Sequence, residues 1–147
     1  MPYTTEDLTG SVLREYVVLE RVGEGTTASV YRALDSANGN RMVALKVMHA
    51  VEQRLRHRSG QTDHPFEREQ RLIRAIDDPR LVRTYDVGQL DDGRFYMAME
   101  FVSGRALADE LQARGASPWH EALGVWVEIL AAVGSFHRMH VIHRDIS

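Results

Sequence analysis

The run Val43-Ala44-Leu45-Lys46-Val47-Met48 sets a single charge in the middle of an apolar, strand-forming stretch. Side chains alternate faces along a strand, so Ala44 and Lys46 point the same way. A small residue beside the lysine leaves room for something flat to lie against a sheet. Lys46 is also the only lysine in the chain; the other 17 of its 18 strongly basic side chains are arginine. An ammonium is a compact point charge and a guanidinium a wide planar fork, so the two do not substitute for each other in a tight site. The plain reading of Lys46 is a strand lysine that reaches out to water. The sharper reading needs a ligand and a carboxylate partner supplied from elsewhere in the chain.

The stretch upstream supplies a candidate for the ligand side. Tyr16-Val17-Val18-Leu19-Glu20-Arg21-Val22 is β-branched and aromatic and predicts a strand. It runs into Gly23-Glu24-Gly25-Thr26-Thr27-Ala28, followed by Ser29-Val30-Tyr31-Arg32-Ala33-Leu34. A glycine pattern of this kind after a strand can open a dinucleotide-binding helix, with an acidic residue about twenty positions on. Here the following residues are strand formers, Asn38-Gly39 is a hairpin signal, and position 43 is Val. Strand, glycine turn, strand, hairpin turn, strand is the better pattern. The glycine turn then becomes a flap whose bare backbone can approach phosphate oxygens closely.

Downstream of the lysine, residues 51–63 are polar and basic, with Arg54, Arg56, His57 and Arg58 close together, and read as a solvated loop or short helix. A helix is expected from Pro65, with Phe66, Ile73 and Ile76 on one face. Glu69 falls on that same face, where a carboxylate is costly unless paired. Glu67 points elsewhere and can pair with Arg71 one turn on. Glu69 is therefore the candidate partner of Lys46; the plain alternative is an arginine at the border of the stripe.

Leu81 to Gly88 and Arg94 to Val102 predict two further strands joined by the Asp91-Asp92-Gly93 turn, which makes five strands and one helix. Ser103-Gly104 reads as a hinge, with a short helix around Ala106 to Ala113 after it. Ser117 is placed as the cap of a long helix, with Pro118 in its first turn. Trp119, Leu123, Trp126, Leu130 and Val133, with Ala122, Ile129 and Phe136, form a wide apolar face at helical spacing that reads as core. His137, His140 and His143 lack acidic company and are not read as a metal site.

Composition narrows the function classes. A net charge of −3 and a pI near 6.1 argue against nucleic-acid binding. The absence of cysteine removes disulfides, thiol nucleophiles and thiolate metal sites. No apolar run is long enough to span a bilayer, and the first residues lack the pattern of a signal peptide, so a cytoplasmic location is expected, either free or as the cytoplasmic part of a longer membrane-anchored protein.

Taken together, Gly23-x-Gly25-x-x-Ala28-x-Val30, Val43-Ala44-Leu45-Lys46, Glu69, Met99-Glu100-Phe101-Val102 and His143-Arg144-Asp145 resemble, in order and spacing, the protein kinase family, specifically the serine/threonine kinases of bacteria. The resemblance runs from about Tyr16 to the last residue. It implies an α+β fold: a five-stranded antiparallel sheet with one regulatory helix, then the first helices of a helical carboxy-terminal lobe. The division it implies is a tail over 1–15, an ATP-binding amino-terminal lobe over 16–102, and the hinge exit and start of the helical lobe over 103–147.

It further implies ATP beneath a flap formed by Gly23, Glu24, Gly25, Thr26, Thr27, Ala28 and Ser29, with adenine between Val22, Val30 and Ala44. The backbone of Glu100 and Val102 would take the adenine edge. Lys46, held by Glu69, would contact the α- and β-phosphates, and Asp145 would accept the proton of a protein Ser or Thr hydroxyl. Mg2+ is implied as well, with ligands expected beyond residue 147. Ala28 departs from the usual third glycine, and Ser147 stands where serine/threonine kinases carry a lysine. The chain is thus expected to be the amino-terminal part of a kinase and inactive alone. The alternatives are a nucleotide-binding or interaction module without catalysis, and a kinase-fold phosphotransferase acting on small molecules.

Overall fold

The computed structural model describes residues 7–49 and 74–140, and within them all five expected strands are present. They are β2 (Tyr16–Glu24), β3 (Ala28–Asp35), β4 (Arg41–Met48), β5 (Thr84–Gln89) and β6 (Phe95–Glu100). A two-residue strand, β1 (Val12–Leu13), joins them at one edge. The sheet is antiparallel throughout, in the order β1-β2-β3-β4-β6-β5. Two helices follow, α1 (Leu107–Arg114) and α2 (Trp119–Arg138). The helix expected from Pro65, with Glu69, and the terminal His143-Arg144-Asp145 lie outside the described residues.

Strand formation follows the alternation. Along β3, Tyr31, Ala33 and Asp35 are buried while Val30, Arg32 and Leu34 are half-exposed; along β4, Val43, Leu45 and Val47 are buried while Ala44 and Lys46 are half-exposed. The buried set joins Tyr16, Val18, Tyr96 and Ala98 in one core on one face of the sheet. Two phenols in that core share a carboxylate: Tyr96 donates to Asp86 Oδ2 at 2.7 Å and Tyr16 at 3.4 Å, with their rings edge to face at 5.6 Å. Burial, with Asp86 nearby, pushes both hydroxyls well above the usual tyrosine range, so both remain proton donors.

The β3–β4 turn is built as the Asn-Gly signal predicts, with one elaboration. Ser36–Asn38 form a 3-10 turn, and Gly39 (φ 70°) and Asn40 (φ 58°) take the left-handed conformation that reverses the chain. Asp35 caps it, accepting from the Asn38 amide at 3.2 Å and from Arg41 at 2.8 Å. Burial raises the Asp35 pKa, but hydrogen bonds from Asn38 and Arg41 outweigh this and hold the carboxyl below its ordinary range.

Three expectations need correction. Within the stretch expected to be a tail, residues 8–13 are folded: Leu8 is buried in the core, Gly10 (φ 82°) turns the chain, and Val12 and Leu13 pair with Val17 and Tyr16. The strand placed from Leu81 begins only at Thr84, because Asp78–Leu81 form a turn in which the Leu81 amide donates to the Asp78 carbonyl. Ser117 does not cap α2. Pro118 occupies the cap position with extended backbone (ψ 143°), no side chain closes the first turn, and the Pro118 carbonyl accepts from the Glu121 and Ala122 amides.

Helix α2 meets the sheet lobe through its carboxy-terminal half. Ser135 donates to the Asp78 carboxylate and accepts from Arg138 (2.7 Å), while Arg80 grips both Asp78 oxygens at 2.8 and 2.7 Å. Hydrogen bonds from Arg80 and then Ser135 hold the Asp78 carboxyl well below the usual carboxylate range. Of the apolar face read as core, only Phe136, beside this contact, is buried, while Ala122, Ile129 and Val133 are half-buried. Trp119, Leu123, Trp126 and Leu130 are exposed.

Candidate nucleotide site

The site lies on the half-open face of the sheet. Register pairing sets Gly23 beside Val30, Val30 beside Lys46, and Lys46 beside Met97. Residues paired across adjacent strands share a face, so the first glycine of the flap, the apolar residue after it and the lone lysine stand in one row. Two residues toward the hinge, Arg32, Ala44 and Met99 form the next row on the same face. In the other direction Ala28, Met48 and Phe95 make a small buried cluster beyond the lysine.

Strand β2 is shifted against β3 between Val18 and Glu20 and again between Arg21 and Gly23. Such bulges turn a strand and re-aim its side chains. Here the second one falls at Val22, which is exposed, immediately before the flap. The flap tip is closed by the Gly25 amide donating to the Ala28 carbonyl at 2.9 Å.

Among the described residues, nothing in the fold accounts for the two flap glycines. Neither Gly23 nor Gly25 has a positive φ. A Cβ at Gly23 would come no nearer than 3.8 Å to Val30, and one at Gly25 no nearer than 3.5 Å to the Ala28 carbonyl, both ordinary contacts. What a Cβ would obstruct at these positions is approach from outside the chain, which suits a flap lying over a phosphate chain.

The expected site residues do not all gather on this face. Gly23, Val30, Ala44 and Lys46 do. Ser29 does not: it is buried on the opposite face, paired with Val47, and its hydroxyl bonds His49 at 3.0 Å. Glu24 is exposed and forms an ion pair with Arg21 at 3.2 Å, while Thr26 and Thr27 are exposed at the tip. At the hinge, the Glu100 amide donates to the Arg83 carbonyl at 2.8 Å. The Glu100 backbone can therefore offer a ligand only its carbonyl, and Val102 beyond it is exposed. Glu69 and Asp145 lie outside the described residues.

Sequence reading missed one residue at the site. His49, one past the end of β4, bonds the flap: its amide donates to the Thr27 carbonyl (2.8 Å) and its Nδ1 lies 3.3 Å from the Thr26 carbonyl. No periodicity or motif marks it; only the folded return of the flap onto β4 brings these residues together.

Comparison with known proteins agrees with this geometry. Residues 16–147 match the protein kinase domain family. The chain is 38% identical over 131 residues to the probable serine/threonine-protein kinase pknA2 of Bifidobacterium longum, covering 89% of this chain and 17% of that protein. It is 33% identical over 134 residues to the serine/threonine-protein kinase PrkC of Bacillus subtilis, covering 89% and 19% respectively. The chain thus spans about a fifth of the length of these two relatives. Among solved structures, the Mycobacterium tuberculosis PknI kinase domain superposes with a TM-score of 0.80 over 97% of this chain and 56% of that one. At 23% identity that likeness is one of fold. Rad53, solved in complex with AMP-PNP, superposes with a TM-score of 0.76 at 27% identity, over 91% of this chain and 33% of that one. With its ordered motifs, its sheet and a match over residues 16–147, the chain belongs to the protein kinase domain family, among relatives that are bacterial serine/threonine kinases.

Proposed function

We propose that this protein transfers the γ-phosphoryl group of ATP to Ser or Thr hydroxyls of protein substrates, with residues 16–102 as the nucleotide-binding lobe and 103–147 as the hinge exit and start of the helical lobe. The observation that carries this reading is the row Gly23–Val30–Lys46 on the open face of the sheet, above which two glycines leave space that the fold does not itself require. The complex of Rad53 with AMP-PNP supports a nucleotide as the ligand.

In this reading adenine lies against Val22, Val30 and Ala44, and its edge meets the Glu100 carbonyl and the Val102 backbone. The flap from Gly23 to Ser29 covers the phosphates. Ser29 contributes through its backbone, since its side chain is engaged on the other face. The Lys46 ammonium, oriented by Glu69, holds the α- and β-phosphates. Asp145 accepts the proton as the substrate oxygen attacks phosphorus, and the bond from the γ-phosphorus to the bridging oxygen breaks, leaving ADP. Magnesium, held by ligands expected beyond residue 147, would neutralise charge on the phosphates. With those ligands placed beyond residue 147, residues 1–147 alone are proposed to be inactive. ATP as donor and a chain free of cysteine fit work in the cytoplasm.

The test is transfer of labelled phosphate from ATP, with magnesium, by the full-length gene product onto itself or a generic protein substrate. Acid-stable phosphoserine or phosphothreonine is expected. Lys46→Met and Asp145→Asn should each reduce the rate by at least about 10²–10³, the scale for removing one preorganised electrostatic contact. Full activity in either variant would sink the assignment, and a wild-type protein that binds ATP without transfer would indicate a non-catalytic module.

A further inference from the structure

His49 makes three ties to the flap from one position. Its backbone amide donates to the Thr27 carbonyl at 2.8 Å, its Nδ1 lies 3.3 Å from the Thr26 carbonyl, and its Nε2 lies 3.0 Å from Ser29 Oγ. A carbonyl oxygen only accepts, so Nδ1 carries the proton. In the neutral ring Nε2 is then an acceptor, and the Ser29 hydroxyl donates to it. Ser29 is only 3% exposed, and a buried hydroxyl needs a partner; the imidazole is that partner. The ring therefore joins a buried anchor, Ser29, to the exposed flap tip at Thr26.

This geometry has a directional consequence. In a trans peptide the carbonyl and the following N–H point opposite ways. Turning the Thr26 carbonyl onto His49 turns the Thr27 amide away from it, off the closed side of the flap. The amide is thus presented outward before any ligand arrives, which is the preorganisation that anion binding by backbone donors requires.

We infer that His49 is a positioning residue that latches the glycine flap onto the end of β4 and sets the direction of its tip amides for nucleotide phosphate. It touches no reacting atom and acts through Thr26, Thr27 and Ser29. The inference rests on the proposal that a nucleotide binds beneath the flap.

The test uses the full-length gene product and two readouts. Amide hydrogen exchange over Gly25–Ser29 is measured without nucleotide, with Tyr96–Ala98 as an internal reference for global opening. His49→Ala should speed flap exchange by about tenfold, the scale of two modest hydrogen bonds, and leave the reference unchanged. Steady-state kinetics should show KM for ATP rising about fivefold to tenfold with kcat changed much less. In His49→Asn the amide nitrogen takes the place of Nδ1, so the Thr26 tie should return and most of the flap protection with it. Ser29→Ala should give a smaller acceleration, losing only the anchor. Unchanged flap exchange in His49→Ala, or acceleration spread equally over the reference strand, would overturn the latch. A wild-type protein that fails to bind ATP would overturn the nucleotide reading instead, and the exchange measurement without nucleotide would still decide the latch.

Discussion

Glycine is required for different reasons at two ends of this sheet. At Gly88, in β5 opposite Tyr96, a Cβ would lie 2.9 Å from the Tyr96 hydroxyl and 3.0 Å from its ring, closer than real side chains approach. That ring is held in place by its hydrogen bond to Asp86 and its edge contact with Tyr16. Gly88 is thus explained from inside the fold. At Gly23 and Gly25 no atom of the described residues comes nearer than 3.5 Å and no positive φ demands glycine. Gly88 is accounted for by the closed face, whereas the flap glycines fit the proposal that a ligand approaches the open face.

The comparison can be broken by mutation, and the largest stability effect belongs to the closed face. Leu45 is fully buried between the two residues proposed to face the ligand. Leu45→Ala should cost about 2–5 kcal/mol in denaturant unfolding, by lost burial and an unfilled cavity. Val30, on the open face beside Lys46, is half-exposed, so a comparable cost from Val30→Ala would mean that the open face is structural too. Next comes the pair of glycines. Gly88→Ala should destabilise by about 1–3 kcal/mol, since the Tyr96 ring must shift. Gly25→Ala should change stability by less than about 1 kcal/mol, in the stabilising direction, because the unfolded chain loses freedom and nothing clashes. The same Gly25→Ala should nonetheless weaken ATP binding. If Gly25→Ala proved as destabilising as Gly88→Ala, the external explanation of the flap glycines would fail.

Much of this arrangement is legible in sequence because a period of two both forms strands and sorts their faces. Strand-forming runs predicted the strands, the alternation predicted the shared face of Ala44 and Lys46, and the Asn38-Gly39 pair predicted the turn. The same rule also places Ser29 opposite Val30, and a motif taken as a block of site residues overlooks it. The first strand was not legible: two residues carry no period, and Leu8 stands between Asp7 and Thr9 with nothing to mark it as core. The apolar face of α2 was legible as a pattern, but a pattern says only that a helix can bury that face. Trp119 is 78% exposed here. His49 was invisible for a different reason. Its contacts with Thr26 and Ser29 span 23 and 20 positions and exist only once β3 and β4 have paired.

The central claim is that Lys46 waits on the open face for nucleotide phosphate, and its standing as the only lysine in the chain makes it directly readable. The full-length gene product is treated with an amine-reactive reagent, with and without saturating ATP, and modification of the peptide containing Lys46 is quantified by mass spectrometry. The amino-terminal amine serves as the internal reference. ATP should protect Lys46 strongly and leave the reference amine unaffected, because the phosphates occupy the ammonium's open side. Equal modification of Lys46 with and without ATP would contradict the account, since a lysine that holds the phosphates cannot remain as reactive when they are bound.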